Sequence, residues 1–223
     1  MTSELCDQII DALLEAYPLF RSEILTTTAF GRPVRTLVIG NGDRKVLYSA
    51  SHHANEWITS LVLLKFAEDY AAAIESDGQI GGRSARALSR DATIYIVPMV
   101  DPDGVDLVTG AIAPGSVEYE LARILGDNYP DIPFPDGWKA NIRGVDLNLQ
   151  FPAGWQNARQ IKFAQGFNRP APRDFVGFGP LTEPESLAIY NFTLSHDFSL
   201  VIAYHTQGQE IYWNFQNINP HKL

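Results

Sequence analysis

The sequence predicts an α/β fold, a mixed, mostly parallel β-sheet flanked by helices. Three observations carry that expectation. Residues 34–39, 46–51, 93–100 and 198–204 are short apolar runs with the length of buried strands. Residues 4–17, 57–75 and 183–195 carry helix signals instead, apolar periodicity in the first two and a capped start in the third. The two kinds alternate along the chain, which favours strands connected through helices over segregated layers.

In the first helix Leu5, Ile9, Ile10, Leu13 and Leu14 recur at helical spacing, and Tyr17-Pro18 ends it. The runs at 34–39 and 46–51 flank Gly40-Asn41-Gly42-Asp43, a strong turn signal, so they are expected to pair as a hairpin. The helix over 57–75 keeps its period through Leu61, Leu64, Lys65 and Glu68 and is rich in alanine; Gly78 to Gly82 break it. The run at 93–100 closes in the turn Asp101-Pro102-Asp103-Gly104. Residues 105–180 are richer in Gly, Pro and Asn and read as long loops with short elements. The helix over 183–195 has Thr182 as its expected cap and Pro184 in its first turn. The strand 198–204 follows, and 210–213 is a candidate for one more.

The 223 residues suffice for one large domain with a substantial core. Hydrophobic residues at 45% and charged residues at 19% are ordinary for a globular protein. A net charge of −9, with no Lys/Arg-rich run, lacks the footprint of a nucleic-acid binder. The single cysteine, Cys6, excludes an internal disulfide framework and a thiolate zinc finger. The N-terminus lacks the basic start and apolar core of a signal peptide, and no apolar run reaches the ~18–20 residues of a membrane span. Cytoplasmic is therefore the expected location, with no membrane partner. The oligomeric state is left open.

Chemistry concentrates at two strand ends. The run at 46–51 leads into His52-His53-Ala54-Asn55-Glu56, and the run ending at Tyr204 leads into His205. Open α/β sheets place ligands at strand ends, and two imidazoles with one carboxylate make a zinc ligand set that keeps a fourth position open. His-x-x-Glu is weak by itself, and His205 alone reads rather as a core histidine donating to a backbone carbonyl. His52 would point to the other side of an extended segment from His53 and is taken as a bystander; His196 and His221 are expected to be solvated. In Gly144-Val145-Asp146-Leu147-Asn148-Leu149-Gln150 an extended backbone puts Asp146, Asn148 and Gln150 on one face. That face is either solvated, or it supplies Asp146 as an acceptor behind a ligand imidazole and Asn148 as a substrate donor. Lys139 and Arg143 lie just upstream, as a surface charge pair or as cations meeting developing negative charge.

Together these pieces resemble the zinc metallocarboxypeptidases of the carboxypeptidase A type. The matched motifs are Gly31-Arg32-Pro33, Ser51-His52-His53-Ala54-Asn55-Glu56-Trp57, Pro102-Asp103-Gly104, Gly144-Val145-Asp146-Leu147-Asn148 and the His205 strand, in the family's order from about residue 25 onward. The resemblance implies one Zn2+ on His53, Glu56 and His205, with Asp146 behind the first histidine. It implies a peptidase domain over 25–223 behind an N-terminal helical segment at 1–24.

Two departures sharpen the expectation. Leu149 stands where the family usually has an arginine that grips a peptide's C-terminal carboxylate. With Trp138-Lys139-Ala140-Asn141-Ile142-Arg143 and Gln150-Phe151-Pro152, that resembles the bacterial branch cutting γ-D-glutamyl–diamino acid bonds in cell-wall peptides. Lys139, or else Arg143, takes the place of the polarising arginine. The alternatives are an ordinary C-terminal carboxypeptidase and a catalytically inactive zinc- or ligand-binding module. The second departure concerns the general base, a glutamate the family carries well after the third ligand. Glu210 follows His205 too closely for that role. The expectation is of a chain incomplete at its C-terminal side, binding zinc but inactive alone, with an exposed apolar sheet edge.

Overall fold

The computed structural model describes residues 1–213. Thr2 caps the first helix, α1 (Ser3–Ala16), its hydroxyl accepting from the Leu5 N–H, and the helix buries Cys6, Ile10 and Leu13. Three strands follow, β1 (Arg21–Thr27), β2 (Pro33–Ile39) and β3 (Arg44–Ser49), and then the long helix α2 (Ile58–Glu75). A two-stranded ribbon, β4 (Gln79–Ile80) with β5 (Arg83–Ser84), leads into α3 (Ala85–Asp91) and β6 (Ala92–Val97). The helices α4 (Pro102–Val108), α5 (Val117–Gly126) and α6 (Trp155–Ala164) precede α7 (Pro184–Ser195) and the strand β7 (Phe198–Ala203). No helix among the described residues is long and apolar enough to cross a membrane.

The main sheet runs β1-β2-β6-β3-β7. It is mixed: β1/β2 and β2/β6 are antiparallel, whereas β6/β3 and β3/β7 are parallel. Both faces of the central strands β2, β6 and β3 are covered, which explains their near-continuous apolar character. On one face Leu37, Ile39, Ile94 and Ile96 pack against α1 and against Leu63, Leu64, Ala67, Tyr70 and Ala71 of α2. On the other, Val34, Leu47 and Val97 meet Leu147 together with Ile189 and Phe192 of α7. The segment at 1–24 thus contributes α1 to the shared core and the start of β1 to the sheet. At the far end β7 has β3 as its one partner among the described residues, and Leu200 and Val201 are exposed.

Several local expectations give way to tertiary contacts. The runs at 34–39 and 46–51 do not form a hairpin, because β6 is inserted between β2 and β3. The glycines between them serve close approach instead. A Cβ on Gly42 would stand 2.1 Å from the Asp91 carbonyl carbon, and one on Gly40, where φ is +89°, would stand 2.3 Å from the Ala92 oxygen. The hairpin that does exist joins β2 to β1, a strand the apolar pattern missed because its residues are mostly exposed. The stretch at 105–180 holds most of α4 and all of α5 and α6.

Thr182 is not the cap of α7; Glu183 occupies that position, and the buried amide of Gln150 accepts the N–H groups of Thr182 (2.8 Å) and Glu183 (3.3 Å). Residues 210–213 form no strand. His196 is not solvated: it is half-buried among Tyr95, Phe192 and Phe198, with Nδ1 2.9 Å from the Phe192 carbonyl that ends α7. His221 lies outside the described residues.

Candidate metal centre

The parallel strands β3 and β7 run side by side with Ser49 opposite Ala203, so both leave the sheet at the same end. Tyr204 keeps the pairing one residue further, its N–H donating to the Ser49 carbonyl at 2.8 Å. His205 follows directly. Beyond β3 the backbone turns at Ser51, which holds a left-handed φ of +49°. That conformation is costly for a residue with a side chain and is secured from α2: Thr59 Oγ1 accepts the Ser51 N–H at 3.0 Å, and the Ser60 hydroxyl lies 2.7 Å from that of Ser51. The turn sends His52 and His53 in different directions. A 3-10 turn over Ala54–Glu56 then brings Glu56 back beneath His53.

His53, Glu56 and His205 offer ligand atoms that all lie within 4.8 Å of one another. His53 Nδ1 stands 3.0 Å from Glu56 Oε1, and His205 Nδ1 stands 2.9 Å from Glu56 Oε2 and 3.3 Å from His53 Nδ1. Glu56 is buried, His53 nearly so, and His205 forms the outer, solvent-facing side. Behind the trio, His53 Nε2 donates to Asp146 Oδ1 at 3.2 Å, which leaves Nδ1 to face the shared point. Burial alone would lower the His53 pKa, but its bonds to Asp146 and Glu56 hold it up at about 9. Burial would raise Glu56; its bonds to His205, His53 and Lys139 hold it well below the usual carboxylate range instead. The arrangement therefore demands positive charge where the three side chains meet. Two imidazole nitrogens and a carboxylate, open on one side, fit zinc in number and donor type.

The remaining expected residues sort themselves around this cluster. Lys139 is buried, and its Nζ donates to Glu56 Oε1 at 3.0 Å. Its position is fixed through the backbone, since Ala54 N–H donates to the Lys139 carbonyl and Lys139 N–H to that of Pro172. Arg143 is turned elsewhere: its side chain is exposed, with Nε 3.6 Å from Glu183 Oε2. Asp146, Asn148 and Gln150 do not share a face. The Asp146 carboxylate captures the Asn148 N–H and starts a 3-10 turn over Leu147–Leu149. Asp146 and Gln150 are consequently buried, while Asn148 is exposed on the turn that follows Asp146. Glu210 is exposed and accepts from the Tyr212 hydroxyl.

His52 proves more than a bystander, although it is no ligand. Its ring is buried 5.7 Å from that of His205, with Nε2 2.9 Å from the Ser49 hydroxyl. Burial, and then the neighbouring His205 and His53, push its pKa down to about 3 and keep it neutral. Its place beside the third ligand depends on the β3–β7 pairing, which sequence periodicity does not encode.

Known proteins share this architecture. A family model described as zinc carboxypeptidase, peptidase M14, matches residues 6–222. The chain is 41% identical over 211 residues to gamma-D-glutamyl-L-diamino acid endopeptidase 1 of Lysinibacillus sphaericus, covering 95% of this chain and 52% of that protein. It is 38% identical over 214 residues to the uncharacterized protein YqgT of Bacillus subtilis strain 168, covering 95% and 55% respectively. The chain thus spans about half the length of the curated relatives it matches. Among solved structures, carboxypeptidase A from Helicoverpa armigera superposes with a TM-score of 0.67 at 20% identity, over 93% of this chain and 46% of that one. Thrombin-activatable fibrinolysis inhibitor gives 0.68 at 18%, over 93% and 47%. At such identities the likeness establishes the fold alone. The match across nearly the whole sequence establishes more: the chain belongs to the zinc carboxypeptidase family.

Proposed function

We propose that this protein is a zinc-dependent peptidase acting on γ-D-glutamyl–diamino acid bonds in peptides derived from cell walls. The observation that carries the peptidase assignment is the convergence of His53, Glu56 and His205, with Asp146 bonded to the far side of His53. Zinc held there supplies Lewis acidity toward a scissile carbonyl and toward water. The protein's own groups prepare that chemistry. Asp146 fixes which nitrogen of His53 faces the shared point. Lys139 places an ammonium at the cluster, suited to charge that develops on a carbonyl oxygen under attack.

The substrate class is supported by two features. The relative from Lysinibacillus sphaericus is named for γ-D-glutamyl–diamino acid endopeptidase activity. Leu149, on the turn after Asp146, offers no cation to a C-terminal carboxylate. A direct test measures zinc content alongside hydrolysis of a γ-D-glutamyl–diaminopimelate peptide and of a hippuryl-type C-terminal substrate. One zinc per chain is expected, and whatever turnover occurs should favour the γ-D-glutamyl peptide. Preference for the hippuryl substrate would make the protein an ordinary carboxypeptidase, and failure to bind zinc would refute the metal centre.

A further inference from the structure

We propose that Asp174, clamped by Lys162, is a positioning residue for the metal centre, acting through Asp146 on His53. The inference rests on His53, Glu56 and His205 being the zinc ligands. It starts from the number of partners on one buried carboxylate. Asp146 Oδ1 meets His53 Nε2 and the Asn148 N–H, both at 3.2 Å, while Oδ2 accepts the Asp174 N–H at 3.1 Å. A carboxylate held on both oxygens has one orientation, and His53 inherits it.

Where its N–H meets Asp146, the Asp174 backbone is left-handed, with φ at +67°. Aspartate tolerates that region better than most residues but does not prefer it. The side chain holds it there. Asp174 Oδ1 accepts from Lys162 Nζ at 2.5 Å, and Oδ2 from Arg173 Nε at 2.7 Å. Lys162 comes from α6, a helix with no fully buried residue of its own. That helix grips the segment elsewhere too: Trp155 Nε1 donates to the Val176 carbonyl at 3.1 Å, and the Phe163 ring stacks on Phe175.

The same segment serves both supports of the ligand cluster. The Pro172 carbonyl accepts the N–H groups of Lys139 and Ala140, and the Phe175 carbonyl accepts that of Asp146. Residues 172–175 therefore set the placement of the residue behind His53 and of the residue beside Glu56. α6 acts as an outer brace for this strip. A solvent-exposed ion pair with no such attachment would carry no consequence for the metal.

The experiment compares zinc dissociation constants and thermal stability for the wild-type protein, Lys162→Met and Asp174→Asn. Asn keeps access to the left-handed backbone while losing the charge that Lys162 holds. Loss of a direct partner of a ligand costs roughly 10–100-fold in affinity. One bond further out, each variant is expected to weaken zinc by about 3- to 10-fold, in folded protein. The His53 ring N–H resonance should also exchange faster with water than in the wild type. Arg123→Met, which removes exposed bonds to Glu120 and Asp127, serves as the control and should leave zinc affinity unchanged. His205→Ala tests the underlying assignment: unaltered zinc binding in that variant refutes the metal centre itself. If His205→Ala loses zinc while Lys162→Met and Asp174→Asn retain wild-type affinity, the centre stands and the positioning role is wrong. Should Lys162→Met fail to fold, Asp174→Asn alone decides in the same way.

Discussion

Glu185 makes the pH dependence of stability a sharp test of the fold. It lies in the first turn of α7 and is 0% exposed, and its carboxylate has only weak help, from its own backbone N–H and the Asn141 amide, neither at full hydrogen-bond geometry. Asp101, also fully buried with one unpartnered oxygen, is its acidic neighbour from the start of α4. Asp103 and Asp106 face the same region but are held by Arg32, and Glu183 is held by the Asn141 amide at 2.8 Å. Burial above all, and then the Glu183 and Asp103 charges, push the Glu185 pKa from 4.5 up to about 7. The rise of 7 − 4.5 is roughly 2.5 units, worth about 3 kcal/mol between the two protonation states. Because the folded state holds the proton more tightly, this contribution is fully present below pH 4.5 and disappears as pH climbs through 7. Urea unfolding of the wild type and of Glu185→Gln, from pH 5 to pH 8, isolates it. The stability of the wild type relative to the variant should fall by roughly 2–3 kcal/mol across that range. A constant difference would show that Glu185 ionises freely, and hence that its surroundings are wetter or better paired than the structure has them.

Three further outcomes follow from the same contacts. Gly42→Ala places a methyl 2.1 Å from the Asp91 backbone and should cost about 3 kcal/mol; a loss under 1 kcal/mol would mean that β6 does not lie between β2 and β3 as described. Asp146→Asn removes the fixed acceptor for His53 Nε2 and should weaken zinc retention by ~10–100-fold in equilibrium dialysis, an effect that a merely structural Asp146 would not produce. Leu149→Arg supplies a cation on the turn beside Asp146 and should move the ratio of kcat/KM values toward hippuryl-type substrates; an unmoved ratio would separate Leu149 from specificity.

What the sequence revealed about this molecule was whatever is settled within a few residues. The helices over residues 4–17 and 57–75 were readable because their periodicity and stops are local, and they recur as α1 and α2. The three converging residues were readable for a related reason. Strands β3 and β7 end in short polar stretches, and there the residue types themselves, two imidazoles and a carboxylate, carry the chemistry. Pairing order is another matter. Gly40 and Gly42 look like turn residues in isolation, yet their small size answers to Asp91 and Ala92, some fifty positions away.

The support around the site is hidden for the same reason. Asp146 read as a strand residue because alternation was visible in the sequence, while the capture of the Asn148 N–H by its carboxylate was not. Lys162 and Asp174 carry no motif, since their roles exist only once α6 lies against residues 172–176. Ligand identity is thus written in residue type at short range, whereas ligand orientation is written in contacts spanning tens of residues. In this chain that leaves metal affinity open to change by substitutions, such as those at Lys162, that no inspection of the ligand motif would single out.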